Sequence, residues 1–393
     1  MLRNKGREGK TLLTLYGTIQ YQRTFLIPKS AESRQILVNM EHRRGIFPLD
    51  SFLCVDCLPF KITVKMMTAI SKEATRASSY QRAADVINEH YGVCINKDTV
   101  RCVTDFVGEA VFKDDSRRAE EAKASLEKSF DKRKRHRKPD DVLYIEMDGA
   151  MLNTRIEKEG SSWMECKIGL VFHSSDLKSW MTKQGQIRRE ITKKRLVGYI
   201  GNCQTFKYHI LALAELYDYR CCTKIVVISD GAEWIHRLVK EIFPDATHIL
   251  DLSHVKERIS AFGKWLKGDC AEALDWIKSI SEKVEQGEID AVLDELEPYK
   301  DTKCPENVLN LYTYISNHKS CMNYKDYKDK GYFVGSGASE SANKYTMQNR
   351  MKLQGMRWNV ATGQGMLSLK ARLESNCWDE VDPILRNSLY DNA

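Results

Sequence analysis

Two stretches decide the fold: residues 142–152, VLYIEMDGAML, and residues 223–243, TKIVVISDGAEWIHRLVKEIF. Each opens as a short apolar run of strand character and ends on an Asp-Gly pair, Asp148-Gly149 and Asp230-Gly231. The second then passes directly into helical periodicity. Working outward, WMECKIGLVFHSS (163–175) reads as another strand, and KKRLVGYIG (193–201) as a strand able to pair nearby. HILALAELYDYR (209–220) is helical, and THILDLSHVKERISAF (247–262) repeats the strand-to-helix rhythm. Strands alternating with helices indicate an α/β domain on a mixed sheet.

Around this core the character changes. From Val255 to about Tyr314 the pattern is purely helical, with Trp265, Leu266, Leu274, Trp276 and Ile277 at helical spacings, so residues 255–330 are expected to form an all-α insertion. Residues 331–393 open with a glycine loop, GYFVGSGASE, and continue as helix. Upstream, residues 1–60 form a β-rich segment whose TLLTLYGTIQYQRTFLI (11–27) reads as a hairpin about Gly17. Residues 61–112 hold three helical stretches. The second stops at Gly92, a C-cap, and the third starts where Asn96 or Asp98 can cap it. Helices joined through a short Gly-containing turn form a helix-turn-helix, which would aim Lys97, Thr99 and Arg101 at a DNA major groove, or an αα-hairpin that only packs. Residues 113–140 are expected to be a charged linker or a helix end. Its run from Lys132 to Lys138, with Lys132, Arg133 and Arg135, is a solvated spacer or a strap for phosphates.

The 393 residues suffice for two or three domains, and 42% hydrophobic with 29% charged residues is ordinary globular composition. No apolar run approaches the ~20 residues that cross a bilayer, and the basic first residues lead into no signal-peptide core. A cytoplasmic protein without membrane partners is therefore the expectation. The net charge of +7 is compatible with a polyanionic partner without requiring one. Of twelve cysteines only Cys54 and Cys57 form a C-x-x-C pair, and without a second pair they read as ordinary thiols.

In open α/β sheets functional groups gather at the carboxyl ends of strands. Asp148 and Asp230, each expected where its strand stops, are thus candidate metal ligands, with Gly149 and Gly231 leaving room for a substrate backbone. For either alone, a turn or cap is the plainer role. Glu340 falls in the first turn of the helix after Gly335-Ser336-Gly337, where a carboxylate either answers the helix dipole or completes an oxygen site for Mg²⁺.

These residues carry a resemblance. The segments MDGAMLNTR, WMECKIGLVF, ISDGAEWI, LDLSHV, YFVGSGASESANK and NRMKLQGMRW, in this order over about Asp141 to Trp378, resemble the DDE transposases of bacterial insertion sequences. The ISKra and ISLre groups are nearest and the Mutator-like elements more distant, with a looser match through GTIQYQR and FPLDSF. The resemblance implies a ribonuclease-H-like core interrupted by the helical stretch, with Asp148, Asp230 and Glu340 holding two Mg²⁺ ions, or Mn²⁺. It places His254, in the family's Asp-x-x-His element, near the metals or the scissile phosphate; capping the following helix is its alternative role. It implies DNA contacts by Trp234, Arg350, Lys352, Arg357 and Trp358, where the bland reading is core aromatics and solvated charges. Its partners would be double-stranded DNA, both element ends and target, bound by a homo-oligomer associated with the nucleoid. Relatives usually begin with a longer N-terminal region. A truncated, non-catalytic DNA-binding copy and a ribonuclease-H-like nuclease without joining activity are accordingly the alternatives.

Overall fold

The computed structural model of the protein describes residues 1–39, 45–126, 141–158, 161–185 and 187–390. The chain opens with the hairpin β1 (Leu2–Thr14) and β2 (Gly17–Pro28), then α1 (Ala31–Asn39), α2 (Pro48–Phe52), α3 (Val64–Arg76), α4 (Tyr80–Tyr91) and α5 (Lys97–Ser125). Next come β3 (Val142–Lys158), β4 (Ser161–His173), β5 (Leu177–Met181), β6 (Ile187–Ile191), β7 (Arg195–Ile200), α6 (Cys203–Glu215), β8 (Lys224–Ser229), α7 (Glu233–Ile242) and β9 (Thr247–Leu250). Helices α8 (Leu252–Lys267), α9 (Ala271–Glu285), α10 (Ile289–Leu296), α11 (Leu311–His318) and α12 (Tyr324–Asp329) follow. The chain closes with α13 (Gly337–Asn343), a π turn over Lys344–Gln348, α14 (Asn349–Met351), α15 (Val360–Glu374) and α16 (Val381–Tyr390). None of the described helices is long and apolar enough to cross a membrane.

Two compact units result: Met1–Asp115 with Asn349–Ala393, and Ser116–Gln348. This corrects the expected boundaries in two places. Residues 349–393 complete the N-terminal unit, not the α/β core, because Leu369, Val381, Leu385 and Leu389 bury among α3, α4 and α5. Residues 113–125 are helix and not linker. Buried Ala119 and Ala122 extend the apolar stripe of α5, while its charges pair outward, as in Arg117–Glu121 at 2.6 Å. Lys132, Arg133 and Arg135 lie outside the described residues.

In the first unit, the turn between α4 and α5 is built by Gly92 in the left-handed conformation (φ 59°, ψ 36°) and by Asn88, whose side chain exchanges hydrogen bonds with the Ile95 backbone at 2.8 and 2.9 Å. Asn96 caps α5, accepting from Thr99 N–H at 2.8 Å. Gly108 of α5 and Gly365 of α15 let the two helix backbones touch. A Cβ on Gly108 would stand 2.8 Å from the Gly365 backbone.

The second unit is built on a five-stranded mixed sheet in the order β7-β4-β3-β8-β9. β3 pairs antiparallel with β4 and parallel with β8; β8 and β9 are parallel. Side-chain alternation gives β3 two distinct faces. Leu143, Ile145 and Met147 enter the apolar core with Phe206, Ile210, Ile235 and Leu238 of α6 and α7. Tyr144, Glu146 and Asp148 point to the other face, where the segment 333–343 returns along the strand. Phe333 N–H meets the Tyr144 hydroxyl at 3.3 Å, Ser339 N–H donates to Glu146 at 2.7 Å, and Asn343 donates to Asp148 at 2.8 Å. The helical insertion between β9 and this segment is present as expected, in α8 to α12. The hairpin β5–β6 had no counterpart in the sequence reading.

Candidate functional site

Asp148 does not end its strand, since β3 continues to Lys158 against β4. What ends there is the parallel ladder. Its last pair is Met147 with Ser229, so the next position on each chain is Asp148 and Asp230. The two residues are therefore neighbours in sequence register where β8 stops, and the Asp230 charge is felt at Asp148. Asp148 is partly buried and accepts from Gly149 N–H at 2.7 Å as well as from Asn343. Burial pushes its carboxyl upward and the Asp230 charge adds to that, while the hydrogen bonds of Asn343 and Gly149 and the nearby His254 pull against it.

Asp230 accepts from Ala232 N–H at 3.0 Å, closing an Asx turn through Gly231. Gly231 has φ +89°, and a Cβ there would stand 2.7 Å from Leu250 Cδ1 and 3.2 Å from His318 Nε2. Its glycine is thus demanded by the turn itself. Gly149 is exposed, and a Cβ there would come within 3.0 Å only of the Glu165 side chain.

The acid of the Asp-x-x-His element caps α8. Asp251 is fully buried; one carboxylate oxygen accepts from Ser253 N–H at 2.6 Å and from the Ser253 hydroxyl, and the other from Ser336 N–H at 2.6 Å and the Ser336 hydroxyl. Burial would raise its pKa, but these bonds hold it below the usual carboxylate range. The cap is therefore Asp251, which frees His254 from the capping role weighed for it. Ser336, at the start of α13, is in this way tied to the start of α8. As a result Asp251, His254 and Glu340 come together, with one possible ligand atom of each within 4.8 Å of the others. His254 is half-buried, its Nδ1 3.4 Å from Glu257, and Glu340 is exposed in the first turn of α13, where the sequence placed it.

Glu146 was missed by the sequence reading. It is fully buried two residues before Asp148, and burial, with the Asp251 charge in support, raises its pKa to about 8 despite the Ser339 hydrogen bond. The folded chain keeps a proton there that the unfolded chain has released. Stability from this group is thus fully present below about 4.5 and lost as the pH rises through about 8. Glu146→Gln retains an acceptor for Ser339 N–H without the charge. Urea unfolding across this window should show a flatter decline for the variant than for the wild type; parallel declines would contradict the assignment.

The remaining sequence candidates fall elsewhere. Trp234 is half-buried on the core, edge-on to Phe206 at 5.8 Å, with the buried Lys167 ammonium 5.2 Å from its ring centroid. Its ring is taken up by packing. Arg350 and Trp358, expected at DNA, are corrected outright: both are buried in the first unit. Arg350 donates to the Ala74 carbonyl at 3.0 Å and lies over the rings of Tyr80 and Trp358, whose indole N–H donates to the Met351 carbonyl. Lys352, Arg357, Lys97 and Arg101 are exposed, whereas Thr99 is half-buried with its hydroxyl on the Asn96 cap.

Asp148, Asp230 and Glu340 form no ion pair with any Lys or Arg among the described residues. Asp148, raised mainly by burial, and Asp230 each follow the end of the parallel ladder, whereas Glu340 groups with Asp251 and His254. Carboxylate oxygens are hard donors, the kind that Mg²⁺ and Mn²⁺ accept. Asp251 offers less, because both its oxygens are already engaged.

No curated protein matches the chain. A family model does match, over residues 2–382, and its description is that of an uncharacterised protein family. With nearly its whole length matched, the chain belongs to the uncharacterised protein family UPF0236.

Proposed function

We propose that the protein is a DDE transposase of the insertion-sequence type, cleaving DNA at the element's ends and joining the freed 3′-hydroxyl to a target. The observation that carries this reading is the register of β3 and β8, which sets Asp148 beside Asp230, together with the return of Glu340 to His254 after a helical insertion. The five-stranded mixed sheet, with antiparallel and parallel neighbours of β3, is compatible with the α/β core this reading expects.

Asp148, Asp230 and Glu340 would hold two divalent cations, which supply activation of the attacking oxygen and neutralisation of the leaving oxygen. The protein's own contribution is placement. The strand pair fixes the two aspartates, and the Ser336–Asp251 tie fixes the helix that carries Glu340. His254, beside Glu340, is positioned to hydrogen-bond a phosphate oxygen. The exposed Lys97 and Arg101 at the start of α5, with Lys352 and Arg357, are the candidates for DNA backbone contact, and the turn between α4 and α5 has helix-turn-helix form. Double-stranded DNA held by an oligomer is the partner this reading assigns.

Joining separates this enzyme from a simple nuclease. A pre-cut element end with a free 3′-hydroxyl, incubated with plasmid and Mg²⁺, should give covalently joined product. Cleavage of uncut ends without any joining would favour a ribonuclease-H-like nuclease. Binding with neither activity would favour a non-catalytic DNA-binding copy.

A further inference from the structure

A second cluster of ligating side chains shares no residue with the acidic one. His236 sits on α7, His248 is the second residue of β9, and Cys321 ends the turn after α11; one possible ligand atom of each lies within 4.8 Å of the others. The two imidazole rings are 5.4 Å apart. Nδ1 of His236 is buried without a hydrogen-bond partner among the described residues, which is costly. Nε2 of His248 is 2.9 Å from the Ser229 hydroxyl. An imidazole with one nitrogen held in this way is oriented for ligation through the other.

Burial drives the pKa of His248 down to about 4, with the charges of His236, His318 and Lys240 adding to it. Burial raises the Cys321 thiol, which a metal would have to deprotonate; the hydrogen bond from Ser320 and the charge of Lys240 act in the opposite direction.

We propose that His236, His248 and Cys321 form a three-ligand zinc site, open at its fourth position, that clips the end of the helical insertion to α7 and to the edge strand β9. Two imidazoles and a thiolate suit Zn²⁺ and are poor ligands for Mg²⁺. The fourth position falls to water, because both nitrogens of the neighbouring His318 face carbonyls, that of Tyr314 at 2.8 Å and that of Gly231 at 3.0 Å. The insertion, α8 to α12, is a long excursion between β9 and the strand-hugging segment, and it is anchored where Cys321 meets the sheet. His318, the last residue of α11, reaches the carbonyl of Gly231 beside Asp230. Zinc would thereby steady the Asp230 turn from outside the acidic cluster. The assignment does not depend on what that cluster does.

The test uses the full chain with Cys54→Ser and Cys57→Ser as background, stripped with a chelator and titrated with Co²⁺. The expected result is one tetrahedral Co²⁺ per chain with a thiolate charge-transfer band, apart from any Co²⁺ on the acidic cluster, and displaced by Zn²⁺. The bands should persist in Glu340→Gln and vanish in Cys321→Ser. No charge-transfer band in the background protein, or one that survives Cys321→Ser, overturns the proposal. If Cys321→Ser does not fold, Ser229→Ala keeps all three ligands, and its Zn²⁺ affinity should fall about 10–100-fold; unchanged affinity there overturns the proposal equally.

Discussion

Asp148→Asn and Asp230→Asn should each lower metal-dependent DNA cleavage by about 10³-fold or more while leaving the fold intact. The chemistry loses a ligand charge at the point where two adjacent strands deliver it. The fold should tolerate the loss, and for Asp148 the local hydrogen bonds say why. The amide that replaces the Asp148 carboxylate keeps one oxygen to accept from Gly149 N–H. Its new NH₂ group would face the Asn343 donor, but the Asn343 carbonyl oxygen is buried without a partner, so a flip of the Asn343 amide restores a matched pair. Removing the charge also removes the burial cost and the repulsion from Asp230 that raise the Asp148 pKa. A raised carboxyl is a liability above its folded pKa, so Asp148→Asn should melt no lower than the wild type at neutral pH without metal. Added Mg²⁺ should raise the melting temperature of the wild type and do so much less for the variant. Retained cleavage, or an undiminished Mg²⁺ shift, would contradict the assignment of Asp148.

Arg372→Ala should destabilise the first unit by about 3–5 kcal/mol, read from the urea midpoint. Arg372 is 5% exposed on α15. It donates to Asp115 at 2.5 Å and lies 3.7 Å from Asp114 and 3.5 Å from Glu380. Burial alone would lower the guanidinium pKa, but the surrounding carboxylates raise it instead. Truncation removes the guanidinium that Asp115, itself 7% exposed, holds at the centre of this group. Arg372→Lys should recover only part of the loss, since an ammonium cannot reproduce the planar fork. A loss below about 1 kcal/mol for Arg372→Ala would place the group among ordinary surface pairs.

The parts of this molecule legible in sequence were those with a local physical code. KIVVIS followed by DGAEW carries a buried strand, an Asx turn and a helix start in one short stretch, and β8, the Asp230 turn and α7 follow it. Gly92 and Asn96 announced the ends of α4 and α5 for the same reason. Asp148 was legible as a strand residue but not as a mid-strand one. The continuation of β3 depends on its antiparallel partner β4, which pairs through Asn153, and a partner is not a local property. The linker reading of residues 113–125 failed because charge density hid a sparse stripe of buried alanines. Hairpin β5–β6, LKSWM and IRREI, is largely exposed and carries no apolar face to betray it.

For the site, the acids were legible and their surroundings were not. Glu340 was found through its glycine loop, but the bond that seats that loop, Ser336 to Asp251, spans 85 residues. Nothing local marks Glu146 as buried; the segment 333–343 lying over it does so. Arg350 and Trp358 show the converse error. A basic residue near an aromatic reads as a nucleic-acid surface, and here the pair is an internal cation–π contact. Such pairs look alike until the fold decides which side faces water.

The measurement that bears most directly on the central claim is cleavage of a labelled duplex carrying the element's own end, with Mg²⁺ or with EDTA, by the wild type and by Glu340→Ala. The predicted result is cutting at the end by the wild type only, in Mg²⁺ only. Cutting that persists in Glu340→Ala, or no cutting by a folded wild type that binds the duplex, would contradict it.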